Sequence, residues 1–179
     1  MQIEDGRGTG SLLGISKTGN RGDVSSRSNE RIYYISRDSG QSYMWASGTY
    51  DAGAGDTILL VKNTSTTRNL YIKAIWISTD TETRVVVHIP TSEVTPTGTS
   101  ITGRNMNSAS SNAAEATAIR DETNNSQGNI YWSGEIQAAT NPYEINFHDG
   151  LILGQNESIG IDYVADVGAC DVTIIGYFE

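Results

Sequence analysis

One cysteine in 179 residues leaves no partner for an internal disulfide, so the fold must hold by burial and hydrogen bonding. Cys170 sits in Gly168-Ala-Cys-Asp-Val-Thr-Ile-Ile, where a small thiol buried in a strand is the expectation. The acid at Asp171 works against a reactive thiolate. Histidine is nearly as scarce. His88 and His148 stand 60 positions apart, and neither has a His or Cys at ligand spacing, so no metal site is expected. His88 reads as a hydrogen-bonded strand residue and His148-Asp149 as a loop pair. The scattered loop acids contain no calcium-loop run, and Asp166 and Asp171 are the least poor candidates for such an ion.

Other signatures are missing too. No apolar run approaches the roughly 18–20 residues of a membrane helix, and Met1-Gln-Ile-Glu-Asp-Gly has no apolar leader core. The expectation is a chain made in a cytoplasm, where Asn63-Thr-Ser, Asn124-Asn-Ser and Asn156-Glu-Ser are not glycosylated. There is no G-K-[ST] phosphate loop and no G-x-S-x-G nucleophile turn. Gly6-Arg-Gly-Thr-Gly10 opens like a dinucleotide fingerprint but carries Ser11 where the third glycine belongs. Arg21-Gly22-Asp23 spells an adhesion tripeptide that reads as coincidence. No catalytic residue and no cofactor is expected, and the chain does not read as an enzyme.

What the chain does have is unevenly divided. Residues 1–37 hold six basic side chains against four acids, a balance of +2. The remaining 142 residues hold six against seventeen, or −11, which disfavours a nucleic-acid partner. The first thirty residues are rich in Gly and Ser and show neither helical nor strand periodicity. They read as an extended arm, able to reach about 100 Å. Ile3, Glu4, Asp5, Arg7, Leu12, Leu13, Ile15 and Arg21 are its candidate assembly contacts.

From residue 31 the pattern becomes short runs heavy in Ile, Val, Tyr and Trp, each bounded by turn residues. Strands are expected at 31–36, 42–47, 56–62, 70–78, 83–89, 129–133, 135–138, 143–147, 158–165 and 171–178. In Leu70–Ser78 the alternation places Ile72, Ala74 and Trp76 on one face and Tyr71, Lys73 and Ile75 on the other. Residues 91–128 turn polar and read as a long contact-making loop, with a short helix expected over Asn112–Arg120 capped by Ser111 or Asn112. Ten sequential strands and almost no helix predict an all-β antiparallel sandwich, a jelly roll in preference to other β folds, over residues 31–179. The last two strands form either a terminal hairpin or a pair crossing between sheets. Tyr and Trp far outnumber Phe. Adjacent aromatics must point to opposite sheet faces, so Tyr33-Tyr34 and Tyr131-Trp132 are candidate oligomer-interface residues.

The opening Gln2-Ile-Glu-Asp-Gly-Arg-Gly-Thr-Gly10, Asn20-Arg21, Ser25-Ser-Arg-Ser, Ile58-Leu-Leu-Val-Lys-Asn63 with Leu70-Tyr-Ile-Lys, and Leu151–Ile161 together resemble virion proteins of tailed bacteriophages. The long polar stretch 91–128 departs from that pattern. The resemblance implies a capsid decoration or reinforcement protein, made in the host bacterial cytoplasm and residing in the virion. It implies a homotrimer that grips the major capsid protein through its arm, with no nucleic acid and no membrane. The rival expectations are a head or tail fibre module that binds a host glycan and, behind it, a hydrolase on a sandwich scaffold.

Overall fold

A computed structural model describes residues 36–53, 56–123, 128–138 and 141–179. The described residues form twelve strands: β1 (Ser42–Ala46), β2 (Tyr50–Ala52), β3 (Thr57–Asn63), β4 (Leu70–Thr79), β5 (Thr83–Ile89), β6 (Thr99–Ile101), β7 (Arg104–Asn105), β8 (Ala116–Glu122), β9 (Asn129–Ile136), β10 (Tyr143–Leu153), β11 (Ser158–Tyr163) and β12 (Val167–Phe178). They divide into two antiparallel sheets. One runs β10-β4-β12-β1-β7, with β2 also on β12, and the other runs β6-β8-β3-β11-β5-β9.

Eight principal strands set the topology: β1, β3, β4, β5, β9, β10, β11 and β12. In chain order the first sheet reads sixth, third, eighth, first, and the second reads second, seventh, fourth, fifth. Consecutive strands thus alternate between sheets except where β5 hands over to β9, which is the doubled Greek key of a jelly roll. The expected sandwich is what the chain forms. The open question about its last two strands resolves as a crossing, since β11 lies in one sheet and β12 in the other.

The core lies between the sheets. Tyr43 and Trp45 of β1, Leu59 and Val61 of β3, Ile75 and Ile77 of β4, and Ile159 and Ile161 of β11 are all within a percent of full burial. Tyr50 Oη donates to Ile58 O at 2.6 Å and Tyr163 Oη to Ser78 O at 3.0 Å, each bond tying one sheet to the other. Asn63, fully buried at a corner, donates to Arg68 O and Leu153 O and accepts from Ser65 N at 2.9 Å. It satisfies three backbone groups where the chain turns.

Three expectations need correction. The helix over Asn112–Arg120 does not form: Ala116–Glu122 is strand β8, paired residue for residue with β3. Ala and Glu are good helix formers, but propensity is a weak determinant, and docking on an exposed strand edge outweighs it. The 91–128 region is no single loop either, because it contributes β6, β7 and β8. In β4 the face assignment breaks midway. A bulge opposite Ile175 and Gly176 shifts the register, so Ile72, Ile75 and Ile77 enter the core while Trp76 points out.

Residues 90–98 form a strap across the outer face of the second sheet. Lys62 Nζ pairs with Glu93 at 2.6 Å and donates to Val94 O at 3.1 Å. Val94 packs on Leu60 and Ile119. Glu122, 1% exposed, accepts from Thr97 N, Thr97 Oγ1 and Gly98 N at 2.5, 2.7 and 3.1 Å. A sheet face that would otherwise meet water is thereby closed.

Candidate functional site

Each sheet ends in one short and one long edge strand. β7 and β6 have two and three residues, whereas β9 has eight and β10 eleven. Long edges present unpaired backbone groups and invite pairing with another chain. The two long edges lie on the same side of the sandwich, because the rings of Trp132 (β9) and Tyr143 (β10) meet at 5.7 Å with a 34° tilt. Trp132 shares a face with Val87 and points inward. Gly134 makes room for it: a Cβ there would come within 2.7 Å of the indole.

Exposed apolar side chains flank this contact: Ile130 and Tyr131 of β9 are 57% and 53% exposed, and Tyr143 of β10 is exposed too. Trp76 and Ile152 are also exposed, on the outer face of the first sheet. A register shift beside Tyr131 turns this part of β9 outward. Polar pairs border the strip. Arg84 lies 3.7 Å from Glu135 and donates to Ser133 Oγ at 2.9 Å. Gln137 donates to Glu82, and Asn146 to Glu144. An apolar centre with a self-satisfied polar rim has the anatomy of a protein interface.

The groups capable of chemistry are dispersed. His88 and Asp162 face outward from β5 and β11 yet are both buried, with Nε2 and Oδ2 3.0 Å apart. The contact is close but misaligned for a hydrogen bond, and Nδ1 of His88 accepts from Gly128 N at 3.4 Å. His148 sits at positive φ (50°) in the irregular part of β10. Cys170 is buried in β12, its thiol donating to Tyr50 O at 3.4 Å. Burial first, and then Cys170, pushes the Tyr50 hydroxyl well above its ordinary pKa, and Tyr163 is raised for the same reasons. Among the described residues no group of three or more His, Cys, Asp or Glu is placed to hold a metal. Asp171 instead accepts from Thr49 Oγ1 at 3.3 Å, in an open cleft of about 440 Å³ that Asp80 and Cys170 also line. Among the described residues no helix is long and apolar enough to cross a membrane.

Of the residues singled out from sequence, Tyr131 and Trp132 fall in the strip. Tyr131 is solvent-facing and Trp132 half-buried, as an adjacent pair on a strand must divide. Tyr33, Tyr34 and the arm residues Ile3, Glu4, Asp5, Arg7, Leu12, Leu13, Ile15 and Arg21 lie outside the described residues. Sequence reasoning did not single out Ile130 and Tyr143 as exposed beside this contact, nor Trp76 and Ile152 as exposed at all. Ile130 carried a usable signal, standing next to two aromatics in a run with no alternation. Trp76 was hidden by the bulge. No family model, curated protein or solved structure matches the chain.

Proposed function

We propose that this chain is a structural virion protein of a tailed bacteriophage, a capsid decoration protein that docks on the head shell as a symmetric oligomer. The observation that carries the reading is the exposed apolar strip where β9 meets β10, formed by Ile130, Tyr131 and Tyr143 beside Trp132, while among the described residues no three metal-ligating groups cluster. A jelly roll alone argues for no function, since the fold serves many. The strip argues for contact with protein: its exposed side chains are Ile130, Tyr131 and Tyr143, and Arg84 and Glu135 beside it pair with each other. The basic segment 1–37 complements a body of −11, which suits an arm that reaches a neighbouring acidic surface. Three copies are the proposed order, with the major capsid protein as partner and the virion as location.

Light scattering on the purified chain, followed by co-sedimentation with shells that lack it, tests the proposal. A mass three times the 19.3 kDa protomer and retention on shells are expected. A stable monomer that does not bind its own shell would overturn it.

A further inference from the structure

Six basic residues lie beyond position 37: Lys62, Arg68, Lys73, Arg84, Arg104 and Arg120. Lys62, Arg68 and Arg84 each pair with a glutamate. Among the described residues Arg104 and Arg120 form no ion pair, and they line the same cleft. It measures about 330 Å³ and lies at the β6–β7 side, between the short edges of the two sheets.

The two arginines are held differently. Arg120, on β8, is anchored: Nη1 donates to Ser47 O at 3.0 Å and the guanidinium lies 5.3 Å from the Tyr50 ring centroid. Arg104 is exposed, fixed only at its backbone by the pairing of β7 with β1. Thr99, Ser100 and Thr102, all exposed, also line the cleft, with Thr99 level with Arg120 across the β6–β8 pair and Ala46 and Ile101 as apolar wall. None of the lining residues is acidic, on a body that carries −11. A cationic concavity in an acidic surface concentrates anions locally.

We propose that this cleft binds an oxyanion carried on a hydroxylated ring, that is, an acidic sugar of the uronate type. Guanidinium groups grip carboxylate with two parallel hydrogen bonds. Hydroxyl-bearing residues of the lining can meet the sugar's own hydroxyls, and Ile101 and Ala46 offer a surface for a ring's C–H face, which a bare ion does not use. The volume falls within the range of small-ligand sites. This proposal is independent of the assembly reading and of the β9–β10 strip, so either can fail without the other.

The test is a titration of the full chain, isotope-labelled for NMR, with D-glucuronate, and in parallel with glucose, acetate and inorganic phosphate. Saturable glucuronate binding with a Kd on the order of 1 mM is expected, with amide shifts centred on residues 99–104. Glucose, acetate and phosphate should each bind at least ten-fold more weakly. Arg104→Ala should weaken glucuronate at least ten-fold at an unchanged melting temperature, and Arg104→Lys several-fold, by losing the fork but keeping the charge. Absence of glucuronate binding, or equal binding by Arg104→Ala, overturns the proposal. Acetate or phosphate binding as tightly as glucuronate also overturns it, reassigning the cleft to protein carboxylates or to an inorganic ion.

Discussion

Two carboxylates show how the same side-chain type acquires opposite effects on stability. Burial, with the charges of Asp121 and Asp162 added, raises the Asp56 carboxyl. A raised group contributes stability below its unfolded pKa and loses it as pH rises through the folded value, so at pH 7 ionised Asp56 is unfavourable. Asp56→Asn should therefore raise the melting temperature at pH 7 by about 1–3 °C, and the gain should vanish near pH 3; calorimetry across pH checks both. Glu115 runs the other way. Hydrogen bonding from Ser65 and then Arg68 holds it below its usual range, so its contribution is present above the unfolded pKa and lost as pH falls through the folded one. Because the pair is partly exposed, Glu115→Gln should cost less than about 1 kcal/mol at pH 7. A larger effect would mean that the Arg68 network, which also reaches Gln41, acts as one unit.

At the scale of elements, the strap over the second sheet and the seat of Trp132 are the informative cases. Glu122→Ala removes three acceptor contacts and leaves two backbone donors without their acceptor, which should cost about 2–3 kcal/mol. Amide exchange should accelerate at residues 93–98 before the sheet itself opens. Gly134→Ala places a methyl against the indole and should cost about 1–3 kcal/mol, with Trp132 fluorescence shifting as the ring swings out. Little of either device is visible in sequence. The strands from Leu70 to Ile89 were legible because β-branched runs end in turn residues. β8 was not, since Ala116–Glu122 is a strand only by virtue of the β3 edge it covers. Trp76 was likewise assigned to the wrong face, because a bulge is a property of two paired strands and leaves no mark in one. The candidate strip was half legible: Tyr131-Trp132 announced itself as a pair that must split, whereas Tyr143 joins it only once two edges come together. The Arg104–Arg120 cleft was not legible at all, since sixteen residues separate its cations and nothing in their neighbourhood spells a motif.

For the whole molecule, the proposed assembly makes a prediction that needs no partner. Ile130→Glu with Tyr131→Glu puts two charges into the apolar strip, on residues exposed enough that folding should survive. The double variant should sediment as a folded monomer with an unchanged circular-dichroism spectrum. A variant that keeps the parent's oligomeric mass would move the subunit contact away from β9 and β10.

Both sheets also have late arrivals near their centres. β11 joins β3 to β5 in one sheet, and β12 joins β4 to β1 in the other. Until residues 158–178 have left the ribosome, the earlier strands have no middle to close upon, and their Ile- and Val-rich edges stay open. Folding is thus deferred until synthesis has passed Phe178, and it proceeds through pairings distant in sequence, which are slow to form. Nascent chains stalled before Ser158 should be protease-sensitive and chaperone-bound, with protection rising steeply once β12 is complete.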